Sequence, residues 1–159
     1  MPIDPDDFRS VLGRFASGIT VVTTLDAHGR DVGMTVSAFC SVSLHPPLVQ
    51  ACVDRSASMF DALQSAERFG VNVLAAEQEA LSRRFSDVEA SHRFEGLGYA
   101  RGESGLVLLD DALAHIECRI VDRVSAGDHM LFIGEVERAT ARDAKPLLYY
   151  RGGYAQLER

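Results

Sequence analysis

Alternation of apolar and polar residues divides the chain into an opening helix and a long series of strands. Residues 4–18, DPDDFRSVLGRFASG, set Phe8, Val11, Leu12 and Phe15 at i, i+3, i+4 and i+7, one face of a helix. Asp4 or Asp6 can cap its start and Gly18 can end it. The β-branched run ITVVTTL reads as a strand, and DAHGRD as a hairpin loop with its glycine. Residues 32–44 and 47–54 form the next two strands, joined at Pro46-Pro47. The first of them carries Thr35, Ser37, Ser41 and Ser43 on one alternating face.

Residues 58–68 read as a helix with Phe60, Leu63 and Ala66 inward, FGVNVL as a short strand and AEQEALSRRF as a second short helix. From Ser86 to Gly105 the chain is polar and dotted with glycine, and loops of that length are more often functional covers than idle connections. The segment ALAHIECRIVDRVSAGDHMLFIGEVERATA holds two long strands joined at Ser125-Ala126-Gly127-Asp128, and PLLYY is a final short strand. Six or seven antiparallel strands with helices at the side, in one domain over 1–159, predict a small, mainly β barrel, since closure removes exposed edges.

Composition narrows the partners. A net charge of −7 disfavours nucleic acid, whose binding depends on a basic surface. No apolar run approaches the roughly 20 residues of a membrane helix, and the acidic start MPIDPDDF has no leader-like segment, so a cytoplasmic protein is expected. Cys40, Cys52 and Cys118 lie in apolar, strand-like runs without a CxxC, which predicts buried, inert, reduced thiols. Lys145 is the single lysine among 16 basic residues, so arginine dominates any anion binding.

Metal chemistry is a poor fit, because the five histidines have no ligand-like spacing. There is no GxSxG, GxGxxG or P-loop. The DRSAS stretch offers a phosphate cradle: Ser56 or Ser58 as N-cap, Ser58-x-x-Asp61 as a capping box, and Arg55 just before the positive helix end. The plainer reading is a capped helix with Arg55 paired to Asp54 or solvated. Thr35 and Ser37 could donate to the edge of a flat heterocycle, with small Ala38 letting it approach, or could simply face solvent. Arg83 and Arg84 could reach a phosphate or form a solvated helix face. His129, opening a strand after a glycine turn, is an exposed aromatic donor or a structural residue.

Taken in order, GITVVTT, GMTVSAFCSVSLHPPLV, CVDRSAS, FGVNVLAAEQEALSRRF, RFEG, GDHMLFIGEVE and PLLYYRGGY resemble the short-chain flavin reductase family, the reductase components of two-component flavin-dependent monooxygenases. The resemblance implies a six-stranded, antiparallel Greek-key split barrel that binds FMN or FAD and works as a homodimer. It implies that Thr35, Val36, Ser37 and Ala38 line the ring edge and that Asp54, Arg55, Ser56 and Ser58 hold the ribityl-phosphate region. Ser82, Arg83 and Phe85 would add to the phosphate end. His129 would meet the nicotinamide, with Arg151 and Tyr154 nearby. Ala38 and Cys40 stand where relatives often carry serine or threonine.

The activity so implied is hydride transfer from NADH to flavin, the cofactors carrying the chemistry and the protein stacking their rings about 3–3.5 Å apart. Reduced flavin would then pass to a separate oxygenase. NADH is preferred to NADPH because no arginine cluster for a 2′-phosphate is evident in the sequence. Two rivals remain: an oxidoreductase of the same fold that holds FMN tightly, and a flavin-binding module without turnover.

Overall fold

The computed structural model describes residues 1–158. Helix α1 (Pro5–Leu12) is capped by Asp4, whose carboxylate accepts the Asp6 N–H at 2.8 Å. It stops at Gly13 rather than Gly18, because Ser17 and Gly18 form strand β1 and pair with Tyr149 and Leu148 near the C-terminus. The apolar face expected of this helix is present, but Phe8, Val11, Leu12 and Phe15 are all exposed.

The remaining elements are β2 (Thr20–Leu25), β3 (Asp31–Val36), β4 (Phe39–Ser43), β5 (Leu48–Asp54), α2 (Phe60–Ser65), β6 (Arg68–Val73), α3 (Glu79–Asp87), β7 (Tyr99–Arg101), β8 (Val107–Leu109), β9 (Ala114–Ala126), β10 (His129–Ala141), β11 (Leu147–Tyr150) and β12 (Gly153–Gln156). Seven of them form the main sheet in the order β3-β2-β6-β9-β10-β5-β4, every neighbour antiparallel. A smaller sheet, β1-β11-β12, packs at one end, and β12 follows the strand expected to be last. No described helix is long and apolar enough to cross a membrane.

The sheet order fixes the three-dimensional shape. Consecutive strands β3 and β4 lie on opposite edges of the sheet. Laid flat, those edges would be about 29 Å apart at about 4.8 Å per strand. The link from Val36 to Phe39 spans at most about 11 Å. The sheet therefore rolls up until its edges nearly meet, and it remains unsealed, since β3 and β4 do not pair: a split barrel of seven strands, within the six or seven expected from the pattern and one more than the family resemblance implies. The extra strand arises where the single strand predicted over 32–44 breaks at Ser37-Ala38. There the Phe39 N–H turns back to the Ser37 carbonyl at 3.0 Å, and the Ala38 carbonyl accepts the Cys52 N–H of β5 at 2.9 Å.

Side-chain alternation fills the barrel. Along β5, Val49, Ala51 and Val53 point inward and Leu48, Gln50, Cys52 and Asp54 outward. With Val22, Val36, Phe69, Val71, Cys118 and Phe132 they make the main core, closed at one mouth by Phe60 and Leu63 of α2. A fully buried phenylalanine such as Phe69 or Phe132 contributes about 2–3 kcal/mol. Gly134 leaves room for this packing: a Cβ there would lie 2.6 Å from Cys118 Sγ and 2.9 Å from Phe69 Cζ. A second cluster, Ile19, Val21, Leu74, Phe85, Val107, Leu109 and Leu147, supports β2, α3 and the small sheet.

Polar contacts shape the connections around α3 and α2, and one expectation about capping is corrected. The long segment after α3 is pinned in place. Buried Arg93 donates to the Gly33 and Val88 carbonyls at 2.8 Å each, Arg84 donates to the Arg93 carbonyl at 2.6 Å, and Phe94 packs edge-on against Phe85. Helix α2 begins at Phe60 with Met59 in the capping place and no side-chain cap, so neither Ser56 nor Ser58 caps it and the Ser58–Asp61 box does not form. The reason lies one step upstream: Asp54 captures Ser56 first, accepting both its N–H and its hydroxyl at 2.8 Å.

Candidate functional site

The split brings three groups of predicted residues to one side of the barrel. On the first wall, Thr35 Oγ1 donates to the Ser82 carbonyl at 2.6 Å, which ties β3 to α3. Ser82 Oγ meets the Tyr154 hydroxyl at 2.8 Å, and the Arg83 guanidinium lies 4.8 Å over the Tyr154 ring. Arg83 also pairs with Glu79 at 3.1 Å along its own helix. Ile19, Thr35, Ser37, Ser86, Tyr149 and Tyr154 line a cavity of about 180 Å³ here.

The second group is the split itself. Ser37 and Ala38 are exposed, and their N–H groups donate to no protein acceptor among the described residues. Two free backbone donors beside a hydroxyl, with no bulky side chain before them, fit a planar ligand whose edge carries carbonyl oxygens and ring nitrogens. That is the chemistry of an isoalloxazine, and the site fits a flavin on this ground.

The third group stands at the far end of β5. Asp54 is in register with His129 of β10, and the Gly127-Asp128 turn presents that histidine. His129 Nδ1 lies 2.7 Å from Asp128 Oδ1. The Ser56 N–H and then its hydroxyl hold the Asp54 carboxyl below its ordinary range, with His129 adding to the effect. Arg55 neither pairs with Asp54 nor stands free. Its N–H donates to the Asp128 carbonyl at 3.0 Å, its Nε donates to the Gly127 carbonyl at 3.2 Å, and its terminal nitrogen bonds Ser125 Oγ. The guanidinium is committed to the turn that carries His129.

Several expectations need adjusting. Val36 buries its side chain in the main core, and Phe85 and Ser82 are fully buried, so these two offer a ligand no surface of their own. Ser58 is exposed on the loop before α2. Arg151 sits apart, at the tip of the β11–β12 hairpin against the end of α1, where its N–H donates to the Gly13 carbonyl at 2.9 Å. Cys118 is buried as expected, Cys52 is half-buried and Cys40 is exposed, because β4 is an edge strand whose outer face nothing covers. Asp54, Asp128 and His129 bring their ligand atoms within 4.8 Å of one another, a grouping that sequence spacing hid, though Asp54 is bonded to Ser56 and His129 to Asp128. Sequence reasoning missed Asp128, Ser125, Ser86 and Tyr149. Of these, Asp128 had a signal in standing directly before His129.

Comparison with known proteins agrees with this geometry. A family model described as a flavin reductase like domain matches residues 12–158. A flavin reductase of Pseudomonas putida is 39% identical over 153 residues, covering 96% of this chain and 89% of its own. The reductase subunit of a flavin-dependent monooxygenase of Rhodococcus jostii is 38% identical over 157 residues, covering 98% and 80%. Among solved structures, an NADH:FAD oxidoreductase of Streptomyces globisporus, in complex with NAD and FAD fragments, superposes with a TM-score of 0.91 at 38% identity, covering 99% of this chain and 96% of that one. With nearly its whole length matched by the family model and by relatives of this identity, the chain belongs to the flavin reductase-like domain family.

Proposed function

We propose that the protein is an NADH:flavin oxidoreductase that reduces FMN or FAD and releases the product to a separate flavin-dependent oxygenase. The observation that carries this reading is the pair of free N–H groups at Ser37 and Ala38, set between the Thr35–Ser82–Tyr154 wall and His129. When bound, the two cofactors supply the hydride chemistry themselves.

The chain's own part is binding and orientation. Ser37 and Ala38 would donate to the ring edge, where fixed donors favour negative charge building on a reduced ring. Thr35 is less free to do so, since its hydroxyl proton goes to the Ser82 carbonyl. Arg83, Ser86 and Tyr154 would face the phosphate end, Arg83 keeping its charge over the tyrosine ring, while buried Ser82 braces the Tyr154 hydroxyl. His129, oriented by Asp128, would hold the nicotinamide carboxamide by hydrogen bond and transfers no proton. Exposed hydrogen-bond donors with no covalent tether suit a flavin that is bound, reduced and let go.

A homodimer is part of the same proposal. The outer face of β4, β5, β9 and β10 displays Val42, Leu44, Leu48, Leu131, Ile133 and Val124 beside the site, and a second copy would cover them. The place of work proposed is the cytoplasm, where NADH and an oxygenase are at hand.

The test is to mix the purified protein with NADH and a large excess of FMN, then of FAD, under air, and to follow the NADH absorbance band. Many turnovers dependent on added flavin are expected. Flavin binding without turnover with either NADH or NADPH would refute the reductase reading.

A further inference from the structure

The arginines that sequence spacing left scattered converge on a second depression. Arg9, Ser10, Gly13 and Arg14 from the end of α1, with Arg151 and Gly152 from the β11–β12 turn, line a cavity of about 390 Å³. Asp6 lines it too and pairs with Arg9 at 3.1 Å. Arg14 donates to the Ser10 carbonyl and, at 3.0 Å, to the Ser10 hydroxyl. Among the described residues no carboxylate pairs with Arg14 or Arg151, in a chain whose net charge is −7. The guanidiniums of Arg14 and Arg151 thus line the cavity unpaired, and its carboxylate, Asp6, is bonded to Arg9.

Arg151 stands in a place that local preference does not explain. It is the first of two central residues in a hairpin whose flanking pair is Tyr150 and Gly153, with φ of 50° at Arg151 and 77° at Gly152. Positive φ at both positions is the type I′ pattern, which asparagine, aspartate and glycine adopt with least strain. The arginine held there bonds its backbone N–H to the Gly13 carbonyl at the end of α1 and lines the cavity beside that helix end. Local rules broken without structural return are a mark of functional positions.

The same hairpin lines the flavin cavity through Tyr149 and Tyr154. Tyr149 and Arg151 are two residues apart on β11 and its turn, at most about 7 Å between their Cα atoms. A ligand leaving the tyrosine-lined cavity along this hairpin therefore comes to Arg151 within about the length of a diphosphate. We propose that Arg9, Arg14 and Arg151 form a subsite for the diphosphate of an adenosine diphosphate group, the half that FAD and the pyridine dinucleotides carry and FMN lacks. A diphosphate suits the cluster because its paired anionic oxygens take forked guanidinium donors. The assignment of the neighbouring cavity to flavin rests on the proposed function; the anion chemistry of the arginines does not.

ADP alone is the probe, titrated calorimetrically into the wild-type protein, Arg151→Gly and Arg14→Gln. Glycine suits the φ of residue 151, so the first variant keeps its turn. Binding to wild type is expected, weakened about tenfold in each variant and lost with rising salt. Steady-state kinetics then name the source. A fall of about tenfold in the FAD-over-FMN ratio of kcat/KM in Arg151→Gly assigns the subsite to FAD. A rise in KM for NADH with both flavins assigns it to the pyridine dinucleotide. ADP binding that is absent, or equal in all three proteins, overturns the subsite. Wild-type protein that binds ADP in this way but turns over neither flavin keeps the subsite and refutes the reductase reading instead.

Discussion

Replacing Arg55 with methionine keeps a long side chain and removes the guanidinium that ties the His129 turn to the end of β5. Two side-chain hydrogen bonds are lost, to the Gly127 carbonyl and to Ser125 Oγ, while the backbone bond from residue 55 to the Asp128 carbonyl survives. Both lost bonds are exposed, so each contributes about 0.5–1 kcal/mol after competition from water, and together about 1–2 kcal/mol. That energy holds the turn in one arrangement. Without it the orientation that presents His129 becomes a fraction of an ensemble, and the apparent affinity for whatever His129 holds falls by that fraction. At about 1.4 kcal/mol per factor of ten, KM for NADH is expected to rise roughly tenfold, with kcat nearly unchanged and KM for flavin within a factor of about two. Ser125→Ala removes one of the two bonds and is expected to give about half the free-energy effect. Stopped-flow reduction at varied NADH and fixed flavin reads these constants. A rise in KM for flavin with that for NADH unmoved would refute the reasoning and return the guanidinium to the phosphate role implied by family resemblance.

Three further outcomes follow from packing and titration. Gly134→Ala drives a methyl into Cys118 Sγ and the Phe69 ring, and is expected to cost about 2–3 kcal/mol in denaturant melts; a loss under 0.5 kcal/mol would mean the strand shifts freely. Burial pushes the Cys118 thiol from 9.0 up to about 12, so folding favours its protonated form. That contribution is complete below pH 9 and drains away as pH rises towards 12, by up to about 1.4 kcal/mol per pH unit; relative to Cys118→Ala, wild-type stability should fall more steeply over this window. A thiol-reactive dye should label Cys40 at once, Cys52 slowly because burial and then Asp128 raise its pKa, and Cys118 on unfolding only; protection of Cys40 would show its strand edge to be covered in solution.

The strands were legible in the sequence because their burial repeats every second residue, as in Val49, Ala51 and Val53. The break at Ser37-Ala38 was not, since TVSAFCSVS keeps its alternation across it and only the placement of β3 and β4 on opposite sheet edges demands a turn there. The apolar stripe of α1 is legible as a stripe, but its exposure is not, because periodicity reports that a face is apolar and not what covers it. At the site, hydroxyl-rich segments announced themselves by composition. The use of Arg55 did not: its partners Ser125 and Gly127 lie about seventy residues on and meet it through the register of β5 with β10. Arg151 shows the same limit, its neighbours Arg9 and Arg14 standing at the other end of the chain.

The turn at Ser37-Ala38 also leaves the barrel with one unladdered seam. Strands β3 and β4 are neighbours in sequence, yet they stand on opposite edges of the sheet and exchange no ladder bonds. The bond from the Cys52 N–H to the Ala38 carbonyl carries the β4–β5 ladder up to the lip of that seam, and an unladdered seam is where local opening is easiest. A ligand laid along it touches both edges at once and acts as a rivet in a hoop. Saturating flavin should then slow amide exchange at Cys52 more than in the barrel's far wall, and the protein's resistance to heat becomes a gauge of how much of its substrate it holds.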